Sequence, residues 1–231
     1  MELFNDPHSR GYARITGLFY MIIAVAGFFA ILYVPGQLFT PGDGAASLAA
    51  ISERRGLFNA GVAGDVAVML AELGATAMLY FMFRHVSETL SFVAALARLM
   101  MVAVMAAMLF FYAGALALAG PDMAGIAGET RAALGDLMLH LHGFGVVIWQ
   151  LFFFVHLFIL GKLVVGSGLY PRLLGYGMSL GSFGYLADSV TKFFELDGAM
   201  AGIITPALLV IVSLSEIGFA LWLLIRGPRR A

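Results

Sequence analysis

The sequence predicts an all-α, polytopic transmembrane bundle of about six helices, and three observations lead there. Of 231 residues, 61% are hydrophobic and only 12% are charged, whereas about a quarter of the residues in a soluble domain are charged. Mean hydropathy is +0.95. The apolar residues also fall in long runs, and a bilayer core about 30 Å thick needs roughly 20 of them per helix. Inside lipid the backbone must satisfy its own hydrogen bonds, so each run is expected to be helical.

The first span is expected at about 13–33; its apolar run, Ile15–Val34, follows Arg10 and Arg14 and stops at Pro35 and Gly36 with no A-x-A cleavage site. It therefore reads as an uncleaved span rather than a signal peptide. After it, Asp43 is a good N-cap for a short helix over 43–55, expected to lie at the interface in the first outer loop. The second and third spans are expected at about 57–83 and 90–119, divided by the polar stretch Arg84–Glu88. Gly120 and Pro121 precede a fourth run, 132–163, that is roughly 48 Å long as a helix. Such a helix must tilt, project from the membrane or bend near Gly143 and Gly145. The fifth span, 173–193, carries Gly175, Gly177, Gly181 and Gly184, a small-residue surface for close helix packing. Its Gly177-x-x-x-Gly181 favours packing within the chain, with a homo-oligomer contact as the other reading. The sixth span is expected at 201–225. Residues 1–231 then make one transmembrane domain.

Charge and cysteine content narrow the chemistry. A net charge of −1, with basic residues at the ends of runs, gives no sign of a nucleic-acid partner. The absence of cysteine removes disulfides, thiolate catalysis and thiolate metal sites together. With the N-terminus inside, the inner ends hold Arg10, Arg14, Arg84, Lys162, Arg172, Arg226, Arg229 and Arg230. The outer ends hold Arg54, Arg55, Arg131 and Lys192. Eight against four places both termini in the cytoplasm.

Charged side chains deep in a bilayer are costly and normally face a partner. Counting from the inner helix ends, Glu72 lies about 12 residues deep, Arg98 about 9 and Glu216 about 10, all within roughly one helical turn in height. Arginine stays protonated and needs a carboxylate. Either glutamate supplies it, which leaves the other as a proton or cation site. A purely structural reading is an Arg–Glu clamp tying three helices together. A second layer lies toward the outer ends, with Asp65, His140, His142 and Asp188. His140 and His142 are about 200° apart around a helix, so only one of them is expected to face inward. A His/Asp/Asp set fits a divalent metal with an open position. The bland alternative has Asp136 and one histidine facing water, and Asp188 paired with Lys192 one turn later.

His156 is the remaining polar candidate, about 7 residues from its inner end. With His85 it would make an axial haem pair, but their heights differ by about 10 Å, and a histidine that hydrogen-bonds a neighbouring helix is preferred. Ser179, Ser182, Ser189, Ser213 and Ser215 read as packing residues, with no Ser/His/Asp arrangement.

In order along the chain stand Arg14-Ile-Thr-Gly-Leu-Phe-Tyr20, Leu57-Phe58-Asn59-Ala60-Gly61, Ala97-Arg98-Leu99, and Phe152-Phe153-Phe154-Val155-His156-Leu157 running to Leu160-Gly161-Lys162-Leu163. Ser167-Gly168-Leu169-Tyr170-Pro171-Arg172-Leu173-Leu174-Gly175 and Gly184-Tyr185 complete the series. In these motifs, over residues 12 to 225, the chain resembles the bacterial membrane-protein family DUF4386. The resemblance implies a small multi-span bundle in a bacterial cytoplasmic membrane, with Arg98 and His156 at recurring positions. It carries over no activity, substrate or cofactor. Asn59 departs from it, standing where an arginine is expected.

Three functions remain open. The favoured one is small-molecule or ion binding and transport at a polar cavity around Glu72, Arg98 and Glu216. The second is a metal-dependent intramembrane hydrolase using the outer Asp/His set. The third is a non-catalytic helper or sensor subunit. The balance leans away from an enzyme.

Overall fold

The computed structural model describes residues 5–123 and 125–229. Arg230, counted above among the inner basic residues, lies outside the described residues. Among the described residues every regular element is a helix, as lipid requires of the backbone. In chain order they are α1 (Arg10–Leu38), α2 (Gly44–Glu53), α3 (Arg55–Phe83), α4 (Glu88–Ala119), α5 (Gly128–Ser167), α6 (Arg172–Gly181), α7 (Phe183–Phe193) and α8 (Met200–Ile225). Among the described residues, α1, α3, α4, α5 and α8 are long and apolar enough to cross a membrane.

Two boundaries moved for one physical reason. The first helix does not stop at Pro35 but continues to Leu38, through a π-helical stretch at Phe28–Tyr33. α8 likewise opens on a π-helical turn, Met200–Ile204, just before Pro206. A proline lacks the N–H for the carbonyl four residues back, and its ring crowds that carbonyl. Widening the preceding turn to i→i+5 bonding relieves the crowding, so the helix survives the proline.

The 173–193 segment is divided at Ser182 into α6 and α7. The Ser182 hydroxyl donates to the Ser179 carbonyl at 2.8 Å. Such local bonding competes with the helix ladder. α5 is an uninterrupted helix of 40 residues, about 60 Å long at 1.5 Å per residue, and outgrows the expected 132–163 at both ends. Asp43 caps α2 as expected, accepting from the Ala46 N–H at 2.8 Å.

The chain divides into two compact units. One comprises Ile23–Met69 and Ala103–Val146. Its core gathers Val34, Leu38, Leu48, Ile51 and Phe58 around Tyr112, whose ring meets those of Phe58 and Phe39 at 5.4 and 5.7 Å. Arginines close its helix ends: Arg54 donates to the Gln37 carbonyl, and Arg131 to those of Leu118 and Gly120. Each satisfies carbonyls that a helix terminus leaves without partners.

The other unit runs through Ile22, then Leu70–Val102, then from Val147 onward. Here α6 and α7 lie against α8 through glycines. A Cβ at Gly181 would fall 2.5 Å from the Val212 nitrogen, and one at Gly184 would fall 2.8 Å from that of Leu209. Gly177 faces Ser215, and Gly175 meets α5 at the Gly161 carbonyl. The predicted small-residue surface thus serves packing within the chain.

Candidate functional site

The polar residues of this second unit converge on Arg98. It sits on α4 and is 1% exposed, a burial that a guanidinium tolerates only when its charge and its N–H groups are answered. Its Nε donates to Glu72 Oε2 on α3 in a buried ion pair. Its Nη1 donates to the Tyr20 hydroxyl on α1 at 3.0 Å and to His156 Nε2 on α5 at 2.8 Å. Four helices therefore meet at one side chain. The Tyr20 ring also lies 5.0 Å from the guanidinium carbon and the Phe153 ring 6.0 Å away, adding cation–π attraction.

The protonation of His156 follows from its partners. Arginine can only donate and a carbonyl can only accept. Nε2 faces Arg98, and Nδ1 lies 2.9 Å from the Ala94 carbonyl. The ring is therefore neutral, with its proton on Nδ1, and Phe153 stacks on it at 5.9 Å. Both ring nitrogens are committed within the protein, as the preferred reading of His156 expected, although the partner is the arginine rather than a helix backbone alone.

Glu216 differs from Glu72. It shares the inward stripe of α8 with Val212, Phe219 and Ala220, all buried. It lies within electrostatic range of Arg98, Glu72, Tyr20 and Tyr185. Among the described residues, the ion pair of Arg98 is with Glu72 and no hydrogen bond reaches Glu216. One arginine thus answers one carboxylate, and a second carboxylate stands in its field.

Next to His156 is a small cavity lined by Thr76, Tyr80, Phe83, Ser91 and Leu160 among others, of about 10 Å³. That is room for one water. Glu72, Arg98 and Glu216 do not line it.

The outer-layer candidates have separate surroundings. Asp188 pairs with Lys192 at 2.7 Å, one turn along α7. His142 stacks flat on Tyr112, ring centroids 3.4 Å apart, while His140 is exposed beside Phe144. Asp65 is 7% exposed and, among the described residues, its Oδ2 has no hydrogen-bond partner. Among the described residues, no three His, Cys, Asp or Glu side chains come together as a metal would require.

Tyr20 was not singled out from the sequence. A tyrosine inside an apolar run is a polar handle needing a partner, and its place in the first-helix motif was the available signal. His156 was singled out, but not as the partner of Arg98. Their similar counted depths, about 7 and about 9 residues from the inner ends, carried that information.

The fold and this ion-paired centre define a multi-span helical membrane protein, its outward helix faces in contact with lipid. The chain belongs to the family described as "Domain of unknown function (DUF4386)", which it matches over residues 15–227. It is similar to an "Uncharacterized protein" of the archaeon Archaeoglobus fulgidus, 26% identical over 169 residues, covering 73% of this chain and 84% of that one. No solved structure matches.

Proposed function

We propose that the protein binds an ion, and transports it or a small molecule coupled to it, at the intramembrane centre where Glu216 is the exchangeable carboxylate. The observation that carries this reading is a count of charges. Arg98 already has Glu72, so an ionised Glu216 would leave the centre with an uncompensated negative charge. A proton or a small cation on Glu216 removes that charge, and its arrival and departure is the elementary step of coupled transport. Glu72, Tyr20 and His156 hold Arg98 in place and fix the field that Glu216 experiences.

This reading is framed by one domain of six spans in the cytoplasmic membrane of a bacterium, both termini inside. α6 and α7 together are long enough to form the expected fifth span at 1.5 Å per residue. α2 lies on the outer surface. Eight basic residues against four support that orientation.

Trp149 provides the test, since it packs against Tyr185 at 6.2 Å and Tyr185 lies in the range of Glu216. In Trp222→Phe protein reconstituted in liposomes, proton and sodium titrations are expected to change Trp149 emission. Glu216→Gln should abolish the change while the protein stays folded. An identical titration in Glu216→Gln overturns the reading.

A further inference from the structure

At the end of the molecule where α1 begins and α8 finishes, both in the same compact unit, the structure holds a second polar feature. It is a pocket of about 650 Å³ lined by His8, Ser9, Arg10, Leu169, Arg226, Pro228 and Arg229. A volume of this size suits a small-molecule ligand. Among the described residues, three guanidiniums and an imidazole contribute to the lining, and no carboxylate does. The nearest described acidic side chain along the chain, Asp6, is exposed and accepts from the His8 backbone N–H at 3.0 Å. Among the described residues none of the three arginines has an ion-pair partner.

The arginines stand on a built scaffold. Gly227 adopts φ +69, a left-handed conformation natural to glycine, and turns the chain back at the end of α8. Trp222 Nε1 donates to the Gly227 carbonyl at 2.9 Å, and the Arg229 N–H donates to the Leu169 carbonyl at 2.9 Å. The guanidiniums of Arg226 and Arg229 lie over the Trp222 ring at 5.8 and 5.6 Å. A guanidinium held by its face on an aromatic ring keeps its N–H edge free for bidentate bonding to an oxyanion. Arg10 and Arg14 are used differently. Arg10 donates to the carbonyls of Arg226 and Ile225, and Arg14 to that of Leu224, so both cap α8.

We propose that this pocket binds a phosphate group, carried by an anionic glycerophospholipid of the surrounding leaflet. The charge and fork geometry select a phosphate. Location selects the lipid: the pocket lies at the ends of two membrane-length helices, and α8 beside it presents exposed Leu221 and Ile225 to acyl chains. Basic pockets at the ends of transmembrane helices are a recurring solution for lipid headgroups.

The test uses the full chain in detergent, with Trp222 fluorescence and native mass spectrometry as readouts. The probes are dioctanoyl phosphatidylglycerol, dioctanoyl phosphatidylcholine and inorganic phosphate. Saturable binding of the phosphatidylglycerol, at least about tenfold tighter than of the other two, is expected. Arg226→Gln with Arg229→Gln should weaken it by at least about tenfold, the scale of a lost charge-assisted hydrogen bond. Lys162→Gln with Arg172→Gln, two charges removed elsewhere, should change it less than about twofold. If the glutamine pair does not yield folded protein, Arg226→Lys with Arg229→Lys decides, since it keeps the charge and loses the fork; there a severalfold loss is expected. Equal losses in the pocket and control pairs overturn the site in favour of diffuse surface charge. Inorganic phosphate binding as tightly as the lipid overturns the lipid source, and binding without preference for the anionic lipid overturns the proposal outright.

Discussion

Arg98 Nη1 donates to His156 Nε2 at 2.8 Å, while Nδ1 of the same imidazole donates to the Ala94 carbonyl at 2.9 Å. The histidine is a rigid neutral relay between α5 and α4. His156→Phe keeps the volume but leaves the arginine N–H and the Ala94 carbonyl without partners, each costing about 1–3 kcal/mol. His156→Gln retains one acceptor and one donor. Thermal unfolding in detergent should therefore rank wild type above the glutamine variant and that above the phenylalanine variant.

The two glutamates are expected to respond oppositely. Removing one partner of a buried ion pair typically costs about 3–5 kcal/mol, so Glu72→Gln should lower the melting temperature sharply. Glu216, with neither ion pair nor hydrogen bond among the described residues, should tolerate Glu216→Gln within about 1 kcal/mol. Matching losses in the two variants would mean that they share the arginine, against the geometry seen here.

Asp65 is buried with one oxygen unpartnered. A buried polar group without its hydrogen bonds is a net cost to the fold. Asp65→Leu should raise thermal stability by about 1–2 kcal/mol, the scale of that relief. A destabilised variant would mean that the carboxylate has a partner beyond the described residues.

Close packing of α6 on α8 is open to the same kind of measurement. Gly181→Ala places a methyl against the Val212 backbone, which cannot rotate away, and a loss of about 1–3 kcal/mol is expected. At Gly36 nothing lies within 4 Å of an added Cβ. Gly36→Ala in the same helical setting should be neutral or up to about 1 kcal/mol stabilising.

His85, in the turn between α3 and α4, gives the chain a pH dependence. Partial burial and the nearby His8, whose Nε2 lies 3.1 Å from His85 Nδ1, hold its pKa below the ordinary 6.5, against a smaller opposing effect of the Met82 carbonyl. Arg84 adjoins it in sequence. The unfolded chain thus takes up this proton at a higher pH than the folded one, so stability is full above about 6.5 and falls as pH drops through the folded value. His85→Gln should flatten the melting temperature between neutral and mildly acidic pH. The same slope in both proteins would assign it to other groups.

Composition and run length made the helices legible because lipid leaves the backbone few alternatives. Asp43 as an N-cap was legible for the same local reason. The glycine surface was also visible, since only small residues permit backbones to approach as Gly181 and Val212 do. Depth counting placed Glu72, Arg98 and Glu216 at one level and noted that one arginine answers one carboxylate. It did not decide which glutamate that is, because the choice depends on how helices are rotated about their axes, a contact between segments far apart in sequence. Tyr20 was missed for that reason, and the true partner of His156 with it. The end of the first helix was misjudged at Pro35 because local rules expect a proline to terminate, while a π-helical turn absorbed it.

The sequence by itself determined that this is an all-helical membrane protein and which polar residues fall inside its long apolar runs, since lipid imposes helix formation on each segment independently. Only the tertiary structure decided that Arg98 bonds Glu72, Tyr20 and His156 together, that Glu216 is left over, and that Arg226 and Arg229 share one tryptophan. Those outcomes depend on rotations and turns that bring distant segments to within hydrogen-bonding distance, and no periodicity along the chain encodes them.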